Sequence, residues 1–227
     1  MTTIAVIGPG AIGGTVAFAL ARKHDVVICA NQAFETLSIT RVRSAERDSV
    51  PVRVITEPGR EKPVDWVLLC VKSHQTLGAA PWLRALAGSH TRVAVLQNGV
   101  EHRERVAHLL PLDTAIVPVV VALPAERIAP GEIEMHGGAQ LTVADDDAGH
   151  AFVELFAGTF VNAASDRDFK TRVWEKLCLN SAGGALSALT LRPDALASSP
   201  EMTALGSVVI QALISGNFDA SFSTRGL

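Results

Sequence analysis

The chain has 227 residues, 48% of them hydrophobic and 19% charged, so it is long enough to bury a large core and its composition is that of a globular protein. The formal net charge is −3 and the basic residues are scattered, so we expect neither DNA nor RNA as a partner. The N-terminus has no basic leader or cleavage site and no run reaches about 18 apolar residues, so we expect a cytoplasmic protein without a membrane span.

Strands and helices alternate along the first half of the chain. Apolar runs predict strands at 3–7 and 25–30, and an alanine-rich segment at 11–22 predicts the helix between them. Further continuous apolar runs are typical of parallel strands that are covered on both faces. These strands are predicted at 65–71 and 92–96, with helices at 75–86 and 101–110.

Later segments have the alternation of half-buried strands. Residues 39–43 and 50–55 predict an antiparallel hairpin at the edge of the sheet, and further strands are predicted at 115–122, 132–136 and 140–144. Pro118 indicates that the first of these later strands lies at an edge or bends. We therefore predict an α/β fold with a Rossmann-like, doubly wound sheet that ends near residue 164.

The pattern changes to helical spacing after this sheet. Phe169, Val173 and Leu177 recur at intervals of four residues, and Asp166 is a candidate N-cap. Pro193 and Pro200 are expected to break this helix, and a further helix is predicted at 201–215. The predicted domains are therefore a dinucleotide-binding domain over 1–164 and a partial, all-helical domain over 165–227.

A glycine-rich turn follows the first strand directly. A strand that ends in G-x-G-x-x-G and opens into a helix offers backbone N–H groups to a pyrophosphate, and its glycines lack the side chains that would block it. A tight turn without a ligand is the alternative. The candidate cofactor-binding residues of this turn are Gly8, Pro9, Gly10, Ala11, Ile12 and Gly13.

The residues after the second strand bear on which dinucleotide binds. An acidic side chain there would accept hydrogen bonds from a ribose diol, but the sequence reads Ala30-Asn31-Gln32. This argues against NAD and S-adenosylmethionine and favours NADP, with Asn31 as a candidate ligand. A nearby cation, Arg41 or Arg43, could assist, although either is equally an ordinary surface charge.

Three further clusters contain polar and charged residues that could bind a ligand or transfer a proton. Lys72 and Gln75 follow one predicted strand and Gln97-Asn98-Gly99 follows the next, so both clusters lie at the carboxyl edge where ligands bind in open α/β sheets. Lys176 and Asn180 are four residues apart and share one helix face.

Each of these positions has a structural alternative. A helical lysine is usually a solvated charge, Asn98-Gly99 is a common turn pair, Lys72 could be a surface charge and Gln75 a polar residue at a helix N-terminus. The histidines His74, His102 and His136 are expected to be exposed polar residues rather than ligands. Cys29, Cys70 and Cys178 are far apart within apolar runs, which predicts buried free thiols and no metal site.

From residue 3 to about Pro193 the chain resembles the ketopantoate reductase family, the 2-dehydropantoate 2-reductases. The resemblance rests on GPGAIGG, on K-x-x-Q at 72–75, on QNG at 97–99 and on WEKLCLNSAGGALSALT at 174–190. It implies a Rossmann domain followed by a helical domain, with the substrate between them, and reduction of 2-dehydropantoate to (R)-pantoate by NADPH on the route to pantothenate and coenzyme A.

The resemblance also implies roles for individual residues. Lys176 would be the general acid, and Asn98 and Asn180 would hold substrate or cofactor. An ammonium group suits this role because hydride addition to a ketone leaves an alkoxide, which the ammonium both stabilises and protonates.

The chain departs from the family after the second predicted domain begins. Family members have further helices that supply a serine and a glutamate to the substrate, and residues 216–227 resemble no family segment and read like a frame change, an early stop or an unusual variant. Two alternatives therefore stand beside the reductase: an NADP-binding relative that is catalytically impaired or regulatory, and a reductase of another branched 2-oxo acid. A homodimer is expected, because another subunit could cover the apolar helical surface.

Overall fold

The computed structural model describes residues 1–59, 61–191 and 199–215. It divides into two compact units, Met1–Lys170 and Thr171–Leu227. The predicted domain boundary at 164/165 stays a prediction. The elements of the described residues, in chain order, are β1 (Thr3–Ile7), α1 (Ala11–Leu20), β2 (Asp25–Cys29), β3 (Thr36–Arg41), β4 (Glu46–Pro51), β5 (Arg53–Ile55), β6 (Trp66–Leu69), α2 (Ala80–Leu86), β7 (Arg92–Val95), α3 (His102–Ala107), β8 (Ala115–Pro118), β9 (Val120–Ala122), β10 (Ala125–Ala129), β11 (Glu132–Met135), β12 (Ala139–Ala144), α4 (Asp147–Leu155), β13 (Val161–Asp166), α5 (Phe169–Thr190) and α6 (Pro200–Ser215).

A six-stranded parallel sheet forms the centre of the first unit. Its strand order is β5-β2-β1-β6-β7-β8, which is the order typical of Rossmann folds, and every pairing in it is parallel. The order reverses between β1 and β6. Ligands of such sheets bind in the crevice outside the carboxyl ends of the strands at this reversal. The predicted Rossmann-like fold class is therefore confirmed.

Helix α1 is buried on nearly all sides because it lies between two sheets. Every residue from Gly13 to Leu20 is buried, and the helix contacts β1 and β2 on one side and β3, β10 and β11 on the other. A Cβ on Gly14 would lie 2.7 Å from Ile133 Cδ1, so this glycine permits the second sheet to approach. An alanine-rich apolar sequence suits this position because the helix has no solvent face to make polar.

The opposite face of the central sheet is covered by α2 and α3. Alternate residues of β1 point to opposite faces, so Ile4 and Val6 belong to the core beside α1 while Ala5 and Ile7 belong to the core beside α2. These two apolar cores hold the sheet rigid from both sides. The carboxyl ends of its strands are thereby fixed relative to one another.

The predicted edge hairpin exists but lies in another sheet. β3 and β4 pair antiparallel, and they belong to a four-stranded sheet of order β10-β11-β3-β4 that covers α1. Only β5, from the end of the second predicted strand, joins the edge of the central sheet. The prediction that the hairpin extends the central sheet is wrong because Leu37 and Ile39 are buried in the core beside α1.

The predicted strand at 115–122 is two strands. β8 is the edge of the central sheet and ends at Pro118, as the proline indicated, whereas β9 pairs with β12 in a three-stranded sheet of order β13-β12-β9. The sequence reading missed β10, α4 and β13. β10 is mostly exposed, so it lacks the apolar pattern by which a strand is predicted.

The second unit contains α6 and most of α5, both predicted. Asp166 is not the N-cap of α5, because it ends β13 and its Oδ1 accepts the Asp168 N–H at 2.8 Å, ahead of the helix. Pro200 begins α6 rather than only breaking a helix, which is favourable since an N-terminal proline has no N–H to leave unpaired. Pro193 and residues 216–227 lie outside the described residues. Across the described ranges, no helix is long and apolar enough to cross a membrane.

Candidate functional site

The glycine turn after β1 packs directly against the segment after β6. Gly8 has a φ of +89°, and a Cβ there would lie 2.7 Å from Val71 Cγ1 and 3.0 Å from the Val71 nitrogen. A Cβ on Gly13 would collide with the Gly8 carbonyl oxygen and lie 2.9 Å from Cys70 Cβ. These two glycines are therefore required by the close packing of strand, turn and helix.

Gly10 differs from its two neighbours because a Cβ there would have no heavy atom within 4 Å. It is the N-cap of α1, and the first turn of that helix contains no acidic residue. The backbone of Gly10, Ala11 and Ile12 is thus partly exposed at the positive end of a helix dipole. Such an open cradle fits a phosphate group, and the residues present are therefore compatible with the pyrophosphate of a dinucleotide.

Asn31 lies two residues beyond β2 and is exposed. The preceding residue, Ala30, is buried and donates its N–H to the Ile55 carbonyl at 3.0 Å. Arg41 belongs to β3 of the four-stranded sheet, where it pairs with Glu46 at 3.2 Å and lies 5.4 Å from the centre of the Phe160 ring. Arg41, one of the two cations suggested as an assistant to Asn31, is thus already paired on another sheet.

Lys72 and Gln75 form a short turn after β6. The Gln75 N–H donates to the Lys72 carbonyl at 2.8 Å, and the Gln75 Oε1 accepts the Lys72 N–H at 3.3 Å. Both residues are exposed at the carboxyl edge of the sheet. Gln75 thus shapes its own turn, while the Lys72 side chain extends from the strand end where a cofactor phosphate could meet it.

The Gln97-Asn98-Gly99 segment follows β7 at the same edge. Gln97 is buried, whereas Asn98 is exposed, and Gly99 has a φ of +116° that favours glycine. Gln97 Nε2 donates to the Val71 carbonyl at 3.0 Å, so this segment contacts the same residue that packs against Gly8. The structure therefore brings together the glycine turn, the segment of Lys72 and the segment of Asn98.

His102 is buried, so the prediction of an exposed polar residue is wrong for it. Its Nε2 lies 2.8 Å from the Gln97 carbonyl oxygen. Burial lowers the pKa of its imidazole below the ordinary value of 6.5, which the hydrogen bond to Gln97 opposes in part. Its role is to hold the turn after β7. His74 and His136 are exposed as predicted.

The sequence analysis missed a buried polar network that supports these segments. Gln97 Nε2 also donates to Thr76 Oγ1 at 2.9 Å, and the Arg105 guanidinium donates to Gln97 Oε1 at 3.1 Å. One signal could have shown it: Gln97 is a polar residue that follows a continuously apolar strand, where an unpaired amide would be costly.

Lys176 and Asn180 lie in the second unit, on α5. Both are half-buried, and their spacing of four residues places them on one face of the helix. Among the residues of this helix whose burial is described, Val173, Ala182 and Leu186 are buried, and a Cβ on Gly184 would have no atom within 4 Å. Lys176 therefore lies on a partly exposed face of α5.

Within the described part of the chain, the three cysteines are free and form no metal site. Cys29 is buried, Cys70 and Cys178 are half-buried, and all three are free thiols. Burial raises the pKa of Cys29 to about 12, which keeps this thiol protonated and unreactive. No cluster of three or more potential metal ligands occurs among the described residues.

The chain is similar in sequence to proteins of a known family. The family described as "Ketopantoate reductase PanE/ApbA" matches residues 4–147. A 2-dehydropantoate 2-reductase of Caulobacter vibrioides is 44% identical over 199 residues, which are 87% of this chain and 67% of that protein. The chain thus spans about two thirds of the length of this relative.

Solved structures share the fold. A PanE/ApbA family ketopantoate reductase from Ralstonia eutropha has a TM-score of 0.79 at 30% identity, over 94% of this chain and 75% of that one. A dimeric ketopantoate reductase from Staphylococcus aureus has a TM-score of 0.76 at 21% identity, over 96% of this chain and 81% of that one.

Proposed function

The chain belongs to the ketopantoate reductase family, and we propose that it reduces 2-dehydropantoate to (R)-pantoate with NADPH. The family and the named relatives are 2-dehydropantoate 2-reductases, which use a nicotinamide cofactor. The single observation that best supports the proposal is the open backbone at Gly10, set between two glycines that close packing requires. Close packing does not require a glycine at this position, because a Cβ on Gly10 would meet no atom within 4 Å.

The glycine turn is proposed to hold the cofactor pyrophosphate. Gly8 and Gly13 fix the turn against Val71 and Cys70, and the N–H groups at the start of α1 meet the phosphate oxygens. Pro9, Ala11 and Ile12 belong to the same turn and shape its surface.

NADP is the proposed form of the cofactor. Residues 30–32, directly after β2, offer an amide at Asn31 and no carboxylate that would repel a 2′-phosphate. Lys72, at the carboxyl end of β6, supplies a positive charge at the same edge of the sheet, and Gln75 holds its turn. Asn31 and Lys72 are thus the proposed phosphate donors.

Lys176 is the proposed general acid. A bound reduced nicotinamide supplies hydride to the carbonyl carbon of the substrate. The negative charge that develops on the substrate oxygen is stabilised by the Lys176 ammonium, which then transfers its proton to that oxygen. Asn98 and Asn180 are proposed to hold substrate or cofactor through their amide groups, which can donate and accept at once.

The test of this mechanism is NADPH oxidation with 2-dehydropantoate by the full chain and by Lys176→Ala. Removal of a general acid lowers kcat by about 10²- to 10⁴-fold, while Kd for NADPH is expected to stay unchanged. Lys170→Ala is the matched control, since Lys170 is an exposed lysine near the start of the same helix. Full activity of Lys176→Ala would exclude Lys176 as the acid.

The same assay separates the alternatives. Turnover of other branched 2-oxo acids but not of 2-dehydropantoate would identify a reductase of different specificity. NADPH binding without turnover of any 2-oxo acid would identify an impaired or regulatory relative. Both outcomes would reject the proposed reaction but leave the cofactor site in place.

A homodimer is proposed as the assembly. α5 and α6 expose several large apolar side chains, among them Leu179 at 50%, Leu189 at 82% and Val208 at 60%. Apolar surface of this kind favours association with another copy. Sedimentation of the purified chain tests the assembly, and a monomer at all concentrations would refute it. The cytoplasmic location stays a prediction.

A further inference from the structure

The Gln97 side chain connects the segment after β6 to α3, which follows β7. Its side chain is 4% exposed, and its Nε2 donates to the Val71 carbonyl at 3.0 Å and to Thr76 Oγ1 at 2.9 Å. Its Oε1 accepts the Arg105 guanidinium at 3.1 Å. Both N–H groups and the carbonyl of this buried amide are therefore satisfied.

The bond to Val71 extends this network to the glycine turn. The Val71 nitrogen and Cα lie only 3.0 and 3.1 Å from where a Cβ of Gly8 would be. Gly8 thus packs against Val71, and the Gln97 side chain donates a hydrogen bond to the Val71 carbonyl. A shift of Val71 would therefore change the packing of the glycine turn at Gly8.

The backbone of the Gln97 segment is held by α3. His102 Nε2 lies 2.8 Å from the Gln97 carbonyl oxygen, and the Arg105 guanidinium donates to the Asn98 carbonyl at 3.4 Å. The guanidinium also lies beside Gly99, where a Cβ would be 2.8 Å from Arg105 Nη2. The same network therefore sets the position of Asn98.

We propose that Gln97 is a positioning residue for the cofactor site, which it serves by fixing the glycine turn, the Lys72 turn and the Asn98 segment to one another. This inference rests on the proposed function, because it assigns the positioned edge to a dinucleotide. A side chain needed only to fill the core would be served by leucine or methionine, which avoid the cost of burying an amide. The amide is retained because its bonds to Val71, Thr76 and Arg105 link the segment after β6 to α3, while Val71 packs against Gly8 and Arg105 binds the Asn98 carbonyl.

Two variants test the proposal. Gln97→Met keeps the volume and removes the amide, and Thr76→Val keeps the shape and removes one hydroxyl partner. Each is expected to raise Kd for NADPH about tenfold, the equivalent of one lost hydrogen bond, with kcat at saturating cofactor within about twofold of wild type. Thr76→Ser restores the hydroxyl and is expected to restore Kd.

Thr91→Val is the matched control. Thr91 is 4% exposed and equally well bonded, since its Oγ1 donates to the Val64 carbonyl at 2.6 Å and accepts the Gly88 N–H at 2.8 Å. It precedes the amino end of β7, whereas Gln97 follows the carboxyl end. Its loss is expected to lower Tm about as much as Thr76→Val and to leave Kd unchanged.

Hydrogen exchange provides a readout that needs no cofactor. In Gln97→Met the amides of 71–76 and of 98–100 are expected to exchange faster together, while those of 88–92 stay as in wild type. Faster exchange in only one segment, an unchanged Kd, or an equal rise of Kd in Thr91→Val would overturn the proposal. A wild-type chain that binds no NADPH, yet shows coupled exchange, would instead refute the proposed function.

Discussion

The three glycines of the turn after β1 should respond in opposite ways to the same added methyl group. Gly13→Ala places a Cβ against the Gly8 carbonyl and 2.9 Å from Cys70 Cβ, and neither neighbour is the end of a flexible side chain. Overpacking of this kind costs about 1 to 3 kcal/mol. Gly8→Ala adds the strain of a positive φ, which costs about 1 to 3 kcal/mol more.

Gly10→Ala should leave the fold nearly intact. Its Cβ meets no atom within 4 Å, and its φ of −74° suits alanine. Because alanine is a poor N-cap, the expected loss is up to about 1 kcal/mol. The methyl group would, however, stand between the phosphate and the N–H groups of α1, and each charge-assisted bond lost is worth about 1.5 to 3 kcal/mol. Kd for NADPH should therefore rise at least about tenfold.

Urea unfolding and NADPH titration measure the two effects separately. Gly138→Ala is the control, since Gly138 is exposed and a Cβ there also meets no atom within 4 Å; it should change neither quantity. Wild-type affinity in Gly10→Ala would show that the pyrophosphate does not bind at this cradle. Wild-type stability in Gly13→Ala would refute the packing argument itself.

Two further predictions concern charge. Asn31→Asp places a carboxylate after β2 that repels a 2′-phosphate and accepts hydrogen bonds from a ribose diol. Two unit charges 4 Å apart in water interact by about 1 kcal/mol, so the ratio of the Kd values for NADPH and NADH should shift at least about fivefold toward NADH. An unchanged ratio would show that Asn31 is not part of the cofactor site. His102→Gln should reduce the loss of stability at acid pH. The pKa of His102 in the folded chain lies below 6.5, so the unfolded chain binds the proton first as the pH falls. The contribution of His102 to the free energy of unfolding is therefore present above about pH 6.5 and decreases below it. Urea unfolding at several pH values tests this, and parallel profiles for the two proteins would contradict it.

Local patterns predicted the elements that have a strong signal of their own. Within the central sheet β1, β2, β6 and β7 were predicted from apolar runs, and α1, α5 and α6 have helical composition over many residues. The hairpin of β3 and β4 was predicted as a pair but assigned to the wrong sheet. Its alternation shows that one face is buried, but not that the partner of Leu37 and Ile39 is α1.

Some features of the candidate site were likewise predictable from the sequence, and others were not. The glycine spacing, the missing carboxylate at Asn31 and the pair of Lys176 and Asn180 are visible along the chain, because each depends on residues close in sequence. The bonds of Gln97 to Val71 and Thr76 join residues more than twenty positions apart. No local pattern contains such contacts. The burial of His102 was missed because it depends on how α3 packs against the central sheet.

The sequence by itself determined that this protein has a strand, a glycine turn and a helix suited to a dinucleotide, since backbone conformation and helix dipoles follow from neighbouring residues. Only the tertiary structure decided which glycine is open and which is packed, because that depends on Val71 and Cys70 at the end of another strand. It also decided that Gln97 is buried and fully bonded, since the apolar sheet and α3 close around it and leave its amide no water to bind.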